Sequence, residues 1–422
     1  MVAKPSPLRR GKTGVNELDS SRRSRTTPTI KDVARTAGVS TTTVSNALNG
    51  RLQMMASETF ERIQSVIREL SYHPNSVARG LVTRRTATIG LILAEIETPL
   101  FLQAVPPLEA AARSVGYNVL LCVARCATDE QEAISVLLEK DVEGIIFFSS
   151  SEYRDDSYLA ELRTRGLPTV LVNRASQHAA FSQVNWDQTE AVASAVGWLT
   201  ELGHQRIAIL TGPESRRSTV ERLDGYRQGL ARCGIPFAQE YVRPGDFTAE
   251  AAGWEESTLS LLRLSKRPTA VVASDDIVAA VVLNTVQNAG LSVPQDISVL
   301  GIDDQPFSEY LNPGLTTIRL PTKAAGQRAA EMALGWITGR STEVEHLVLP
   351  CPLIVRRSCG PAPGLRADTG TRDHVGPTAR VDESGFDVPS AAARKSEART
   401  TDANSAREGN SPSPHYSQRR GT

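Results

Sequence analysis

The chain has 422 residues, of which 40% are hydrophobic and 22% are charged, and no apolar stretch is long enough to cross a bilayer. These values predict a globular protein of two or three domains and argue against an integral membrane protein. The formal net charge is zero, but residues 1–85 contain fifteen Lys and Arg and only six Asp and Glu, a net charge of about +9. Such a basic segment on an otherwise acidic chain predicts a polyanionic partner, the alternative being a solvated basic tail.

The five cysteines show no CxxC spacing, and several lie in apolar runs such as VLLCV. This usage is typical of reduced thiols in the cytoplasm. The basic N-terminus lacks the apolar region of a secretory signal, which also favours a cytoplasmic protein. The sequence shows no metal-ligand cluster and no cofactor-binding motif, so we expect neither a metal nor a cofactor.

Residues 1–27 are polar and basic and are predicted to form a disordered extension. Residues 28–73 are predicted to form a small all-α domain. Its first helix, TIKDVARTA, and its third helix, SETFERIQSVIRELSY, carry apolar residues at positions i, i+3, i+4 and i+7, starting from Ile30 and Ile63. Each of these helices therefore has one apolar face that can pack inside the domain.

The junction between the first and second helices predicts a helix-turn-helix motif. Thr29 and Asp32 have the spacing of a capping box at the start of the first helix. Gly38 suits the left-handed conformation that ends a helix, and Ser40 is a suitable N-cap for the next one. Two helices joined by a short turn that contains glycine form this motif.

The second helix has one face of small polar residues. Thr41, Thr42, Ser45 and Asn46 fall at i, i+1, i+4 and i+5, opposite the apolar residues of the helix. Their hydroxyl and amide groups can hydrogen-bond to phosphates and to base edges in a major groove. The alternative is that these residues only cap the helix, which fits Ser40 and Thr41 but not Asn46 in the helix interior. The pattern therefore predicts a DNA-binding helix.

Residues 74–87, PNSVARGLVTRRTA, are predicted to be a hinge or linker. The segment NSVARGL, with Asn75 as a possible N-cap, is too short for a stable isolated helix, and Gly80 weakens it further. Residues 88–360 alternate strand and helix patterns. Residues 361–422 contain too few large apolar residues to form a core and are predicted to be a disordered tail.

Seven near-continuous apolar runs in the alternating region predict parallel strands that are buried on both faces. They are TIGLILAE (88–95), YNVLLCVA (117–124), VEGIIFF (142–148), LPTVLVN (167–173), QRIAILTG (205–212), PTAVVAS (268–274) and DISVLGID (296–303). Helical stretches such as EQEAISVLLEK and IVAAVVLNTVQNAG separate them. The two successive series predict an α/β core of two doubly wound parallel-sheet lobes with a cleft between them.

Ligands of such sheets bind at the carboxyl ends of the strands, so residues at the ends of these runs are candidates for ligand binding. Asn173 ends LPTVLVN, Asp303 ends DISVLGID, and Asp275 directly follows PTAVVAS. An Asp at such a position is about as often the N-cap of the following helix as a ligand-binding residue.

Residues 28–358 resemble the lactose/galactose-repressor (LacI/GalR) family of transcription factors. The resemblance rests on TIKDVARTAGVSTTTVSNALNG and RIQSVIRELSYHPNSVARGL, and on LGHQRIAILTGP, ERLDGYRQGL, GDFTAE and VPQDISVLGIDD in the core. It implies a homodimeric repressor that binds double-stranded DNA at a pseudo-palindromic operator. It also implies a core similar to periplasmic sugar-binding proteins, in which a small effector, expected to be a sugar, controls operator affinity.

The resemblance assigns roles to individual residues. The base-reading positions are Thr41, Thr42 and Asn46, and the phosphate-contacting positions are Ser40, Thr43, Ser45 and Asn49. The effector-binding positions are Phe101, Asn173, Arg222, Phe247, Asp275 and Asp303. Leu81 occupies the position of a hinge-helix residue that wedges into the minor groove and kinks the duplex.

The sequence departs from the family pattern at several positions. LNGRLQMMASETFERI is one residue longer than usual, Phe60 stands where arginine is common, and Ala56 stands near an expected serine cap. In the core, Asn173 replaces a common Asp and Asp275 a common Asn. These changes alter the hydrogen-bonding pattern of the cleft, so the sugar is not identified.

Two other functional classes are compatible with the strand and helix patterns of the core. A secreted solute-binding protein would share the core, but it would need a signal peptide and would have no helix-turn-helix. An enzyme on a doubly wound fold is expected to carry a motif such as GxSxG, HExxH, a P-loop or GxGxxG after a strand, and the sequence has none of them. The sequence therefore predicts a repressor and not an enzyme. It leaves open the operator, the direction of the effector's action, and the choice between dimer and tetramer.

Overall fold

The computed structural model describes residues 28–48, 50–73, 85–94, 96, 99–148, 158–174, 181–214, 216–245 and 251–364. The predictions for residues 1–27, Asn49, Leu81, Phe247 and residues 365–422 fall outside these ranges, as does most of the predicted hinge.

The N-terminal part is a three-helix domain, as predicted. Its helices are α1 (Ile30–Ala37), α2 (Thr41–Leu48) and α3 (Ser57–Glu69), with a 3-10 turn at Leu52–Met54. At the start of α1 the backbone N–H of Thr29 donates to the Asp32 carboxylate at 3.0 Å, and at its end Gly38 has a φ of 67°. The helices pack around a common core that includes the fully buried Val44 and Ile63. This packing holds α2 in place although threonine is a modest helix former.

The start of α3 explains two departures from the family pattern. Ala56 is the N-cap and makes no side-chain capping bond, and the helix begins at Ser57. Phe60 packs against the core of the three-helix domain, where its ring adds apolar contact area.

The rest of the described chain forms two α/β lobes. The first sheet contains β1 (Thr88–Leu93), β2 (Asn118–Val123), β3 (Ile145–Phe148), β4 (Thr169–Val172), β5 (Ser182–Trp186) and β11 (His346–Leu349), in the order β11-β5-β4-β3-β1-β2. The second contains β6 (Ile207–Thr211), β7 (Val242–Pro244), β8 (Ala270–Val272), β9 (Ser298–Asp303), β10 (Thr316–Arg319) and β12 (Leu353–Ile354), in the order β12-β10-β9-β8-β6-β7. All strand pairs are parallel except β10 with β12. The seven predicted strands are confirmed, with shorter ends.

Nine α-helices of the described residues surround the sheets. They are α4 (Pro99–Leu102), α5 (Val105–Ser114), α6 (Ala127–Glu139), α7 (Leu159–Thr164), α8 (Gln188–Glu201), α9 (Arg217–Arg232), α10 (Ala251–Leu262), α11 (Asp276–Asn288) and α12 (Thr322–Ile337). The pairs α5 with α12, α8 with α9, and α10 with α11 pack closely.

One predicted strand is not buried as expected. β2 is the outer strand of the first sheet, and its Leu121 and Val123 side chains are about two-fifths exposed, at 41% and 39%. An apolar run does not reveal whether a strand lies at an edge or in the centre of a sheet. The prediction that both faces of this strand are buried was therefore wrong.

The chain passes between the lobes three times, which the order of the strand patterns did not predict. The first passage follows β5. After β10 the chain returns to the first lobe, where α12 packs on β3, β4 and β5 and β11 pairs with β5. It then crosses again to add β12 to the second sheet.

The packed core extends beyond both predicted boundaries. The N–H of Ala87 donates to the Glu143 carboxylate at 2.8 Å, so the end of the predicted linker already belongs to the first lobe. Ala362 is buried, and its N–H donates to the carbonyl of Leu202 at 2.8 Å. The packed core therefore extends at least to Ala362, beyond the predicted boundary at residue 360. No helix in the described ranges has the length and hydropathy of a membrane span.

Candidate functional site

The first site lies on α2 and begins with its cap. The Ser40 hydroxyl accepts a hydrogen bond from the Thr43 N–H at 3.0 Å and lies 2.9 Å from the Thr43 hydroxyl. Ser40 is therefore the N-cap, and capping involves Ser40 and Thr43 rather than Thr41. Neither residue is buried. Because a hydroxyl both donates and accepts, each of the two hydroxyl groups can make a further hydrogen bond.

The remaining polar residues of α2 form the predicted face. Thr41 and Thr42 are exposed, while Ser45 and Asn46 are half-buried. Val44 and Ala47 on the opposite side are buried in the core of the three-helix domain. The helix carries no charged side chain. It therefore presents hydrogen-bonding groups without a charge that would repel phosphate, and a partner's base edges can approach it closely.

The second site lies in the core, at the carboxyl ends of β8 and β9, where Arg222 of α9 is the central side chain. Arg222 is buried; its Nε donates to the Gln188 side chain at 2.9 Å, and its Nη1 donates to the carbonyl of Ser274. Its Nη2 lies 3.6 Å from Asp303 Oδ1, which is too long for a hydrogen bond but close enough for charge attraction. The structure thus brings the predicted Arg222 and Asp303 together.

Asp303 is held in an unusual state. It is the last residue of β9, has a φ of 119°, and is 5% exposed. Burial raises the pKa of its carboxyl well above the usual range, the Arg222 guanidinium lowers it, and the nearby Asp275 and Asp276 raise it again. Its Oδ1 atom has no hydrogen-bond partner among the described residues. A carboxylate oxygen in this situation favours a donor supplied by a ligand.

Asp275 is a helix cap, which was the alternative to a ligand-binding role. Its side chain accepts a hydrogen bond from the Val278 N–H at 2.8 Å and is the N-cap of α11. It still lies close enough to act on the pKa of Asp303. The residue before it, Ser274, is 2% exposed, and its hydroxyl has no partner in the described structure. Ser274 was not among the predicted site residues, although it ends an apolar run just as Asn173 and Asp303 do.

Asp276 is a second buried carboxyl beside the cleft. It accepts hydrogen bonds from the Gln305 N–H at 2.8 Å and from the hydroxyls of Ser308 and Thr317. Burial raises its pKa to about 6 against the effect of these bonds. The carboxylate lies so near Gly301 that a Cβ there would come within 2.3 Å of it. The network ties the start of α11 to β9 and β10, and so fixes the wall that carries Asp303.

Six buried side-chain atoms of the described chain have no hydrogen-bond partner. They are Asn185 Oδ1, Trp186 Nε1, Arg217 Nη1, Thr219 Oγ1, Ser274 Oγ and Asp303 Oδ1. All lie in β5, at the ends of β8 and β9, or in the first turn of α9, which follows β6. Unpartnered buried groups are rare in proteins, and their concentration at the carboxyl edges of the sheets indicates a ligand-binding surface. Thr219 precedes Arg222 by three residues and so shares its helix face.

The predicted residue Asn173 lies in the first lobe, where hydrogen bonds of its own backbone and of the next residue hold it in place. Asn173 follows β4 with a φ of 52°, and its N–H donates to the Val184 carbonyl at 2.9 Å. The next residue, Arg174, is 1% exposed and pairs with the equally buried Glu130 at 2.8 Å. A second donor of Arg174 bonds the Tyr158 hydroxyl at 2.9 Å. This network anchors the end of β4.

Phe101 lies inside the first lobe rather than on its surface. It is 3% exposed and packs edge-on against Phe148 at 5.7 Å. Close by in sequence, the Gln103 amide lies 3.4 Å from the Gln305 side chain of the second lobe. Gln305 in turn approaches the Asp303 carboxylate at 3.5 Å. Among the hydrogen bonds and ion pairs of the described residues, none joins Asn173 or Phe101 to Arg222. A groove of about 620 Å³ between α5 and α12 is lined by none of the predicted site residues.

Comparison with known protein families gives two matches. Residues 29–75 match the family described as bacterial regulatory proteins, lacI family. Residues 196–359 match the periplasmic binding protein-like domain. Among curated relatives, the HTH-type transcriptional repressor PurR of Edwardsiella ictaluri is 34% identical over 337 residues, which are 79% of this chain and 98% of the relative. The repressor PurR of Proteus mirabilis is 33% identical over the same length.

Solved structures show the same likeness. The Lac repressor dimer bound to operator and the anti-inducer ONPF has a TM-score of 0.69 and 28% identity, over 79% of this chain and 99% of that one. The transcriptional regulator CelR in complex with cellobiose has a TM-score of 0.58 and 31% identity, over 78% and 99%. A LacI family regulator from Enterococcus faecium with bound ribose has a TM-score of 0.57 and 28% identity, over 65% and 99%.

Proposed function

Since the chain belongs to the LacI family of bacterial regulatory proteins, we propose that it is a sequence-specific DNA-binding repressor whose operator affinity is controlled by a small sugar-like effector. The observation that carries the proposal is the uncharged polar face of α2, formed by Thr41, Thr42 and Asn46 and held by a buried core beneath it. The relatives are named as repressors, and one similar structure is a dimer on its operator.

The roles on the DNA follow the family resemblance and, for the described residues of α2, the position and exposure of their side chains. Thr42 and Asn46 read base edges, since an amide can pair with adenine and a threonine methyl can touch a thymine methyl. Thr41 reads the next base. Ser40, Thr43, Ser45 and Asn49 contact phosphates and fix the register of the helix on the duplex. Leu81 enters the minor groove and kinks the operator.

The effector binds at Arg222, Ser274 and Asp303. Asp303 Oδ1 has no hydrogen-bond partner among the described residues and can accept from a ligand, and the Ser274 hydroxyl, likewise without one, can donate or accept. A polyol supplies both, because each of its hydroxyls also donates and accepts. An anion is disfavoured by the neighbouring Asp275 and Asp276 carboxyls. Two of the similar structures contain cellobiose and ribose, which agrees with this choice.

The effector completes its contacts with Asn173 and with the aromatic ring of Phe247. A ligand that touches both lobes favours the closed cleft, to the extent that it binds the closed state more tightly.

The protein acts as a homodimer in the cytoplasm and has no enzymatic activity. Its parts are a basic extension, a DNA-binding domain at residues 28–73, a hinge, a core and a C-terminal tail.

The test starts with DNA selection. The purified full-length chain is incubated with random-sequence duplexes at fixed salt, and the retained duplexes are sequenced with and without a panel of sugars. Enrichment of a pseudo-palindrome that one of the sugars weakens or strengthens is expected. Retention that is independent of sequence, at every salt concentration at which the protein is folded, would contradict the proposal.

A further inference from the structure

The turn between α2 and α3 places two consecutive methionines on opposite sides. Met55 is half-buried and packs against the core of the three-helix domain. Met54, the last residue of the 3-10 turn, is 69% exposed. The turn is tied to α2, because the N–H of Arg51 donates to the Asn46 carbonyl at 3.0 Å and the N–H of Met54 donates to the Arg51 carbonyl at 3.3 Å. Met55 thus anchors the turn, and Met54 projects from it.

Met54 lies next to the predicted base-reading face. Its sulfur is 4.0 Å from the side-chain amide nitrogen of Asn46. A thioether is a weak acceptor, so this contact contributes little to holding either side chain in the free protein. It does establish that the two side chains are neighbours on one surface.

A single exposed apolar residue is common on protein surfaces and by itself requires no explanation. Met54 differs in its location. It adjoins a helix without charged side chains, whose polar groups are suited to base edges. It also lies in the segment that is one residue longer than the family pattern. An unbranched, polarisable side chain adapts to irregular apolar surfaces.

Base edges in the major groove offer one prominent apolar group, the C5 methyl of thymine. We propose that Met54 is a specificity-determining residue that packs on a thymine methyl next to the base pair read by Asn46. The inference rests on the proposed function and adds an apolar contact to the polar readout of α2. Met54 carries no charge, so its contact adds specificity without adding to the phosphate attraction.

The experiment uses the full-length chain and the duplex selected by it. Each thymine of one half-site is replaced in turn by deoxyuridine, which lacks only the C5 methyl. The parent is expected to bind the duplex that lacks the methyl facing Met54 about fourfold more weakly, the effect of losing one buried methyl group. Met54→Ala is expected to bind the thymine and uracil duplexes equally at this position, while a penalty at a thymine that contacts Thr42 remains. Met54→Leu, which remains apolar, retains most of the discrimination, and Gln53→Ala in the same exposed turn retains all of it.

Two controls separate direct contact from support of Asn46. In an Asn46→Ala background, Met54→Ala must still abolish the thymine preference; if it has no effect there, Met54 acts only through Asn46 and the proposal is overturned. The slope of affinity against salt concentration must be the same for Met54→Ala and the parent. If no thymine shows a penalty that depends on residue 54, the inference fails while sequence-specific binding stands. If no sequence is enriched at all, it is the proposed function that fails.

Discussion

Replacing Ser274 with alanine separates the binding role of the cleft from its structural role. The hydroxyl of Ser274 is buried and has no partner among the described residues, while its carbonyl accepts a hydrogen bond from Arg222. Ser274→Ala removes the hydroxyl and keeps the carbonyl. The two expected effects have opposite signs: the free protein becomes more stable, and the effector binds more weakly.

The magnitudes follow from the burial of the group. A buried hydroxyl without a partner costs about 1–3 kcal/mol, so removing it raises the free energy of unfolding by about 1 kcal/mol after the loss of packing. In a core of this size that corresponds to a rise in Tm on the order of 2–4 °C. A neutral hydrogen bond to the effector contributes about 0.5–1.5 kcal/mol, so its loss weakens binding about two- to twelvefold.

The assay combines scanning calorimetry of the free protein with calorimetric titration of the sugar that the parent binds most tightly. Ser358→Ala is the matched control, since its buried hydroxyl donates to the Val299 carbonyl and accepts from the Thr316 N–H. It is expected to lower Tm and to leave sugar affinity unchanged. If Ser274→Ala lowers Tm as the control does, or binds the sugar as tightly as the parent, the Ser274 hydroxyl is not an unsatisfied group that hydrogen-bonds to the sugar.

Three further predictions concern the three-helix domain, the cleft and the pH dependence of stability. Asn46→Ala weakens binding to the selected duplex by about 1–3 kcal/mol, whereas Ser45→Ala weakens all duplexes alike; titrations against selected and scrambled DNA distinguish the two. Arg222→Ala abolishes the effect of the sugar on DNA affinity and leaves affinity without sugar unchanged; equally tight sugar binding by this variant would exclude Arg222 from the site. Because the pKa of Asp276 is raised to about 6, its carboxyl takes up a proton at a higher pH in the folded state than in the unfolded state. Stability therefore gains from Asp276 as pH falls from about 6 to about 4, and urea midpoints of Asp276→Asn lack this gain.

The sequence predicted the three-helix domain well because its signals are local. The capping pair Thr29 and Asp32, the turn at Gly38 and the cap at Ser40 each act within four residues, and all are present in the structure. The apolar face of α2 is likewise set by the helical period, so the polar face opposite it could be identified before the fold was seen.

The core was predicted less completely because its arrangement depends on distant contacts. The return of α12 and β11 to the first lobe, and the position of β2 at a sheet edge, depend on which strands pair, which an apolar run does not specify. The residues that hold Arg222 lie 34 and 52 positions away along the chain.

For the site residues too, what can be seen locally in the sequence was predicted, whereas what depends on the folded structure was not. The prediction chose Asp275 because it directly follows an apolar run, while the structure uses its carboxylate as a helix cap and leaves the adjacent Ser274 hydroxyl without a hydrogen-bond partner among the described residues. The position of a residue after a strand is visible in a sequence, whereas the hydrogen bonds that its side chain makes are not. Phe101 was placed in the cleft by resemblance, but its ring is packed within the first lobe.

In the proposed function, α2 recognises the DNA sequence and the effector bound in the cleft controls the affinity for that sequence. The most direct test is a fluorescence anisotropy titration of the full-length chain against the selected duplex and a scrambled duplex of equal length, at one salt concentration, with and without the sugar that binds the core. We expect at least a thousandfold preference for the selected duplex, and a change of about 5- to 150-fold in that affinity when the sugar is added. Equal affinity for the two duplexes, or a selected-duplex affinity that the bound sugar leaves unchanged, would contradict the proposed function.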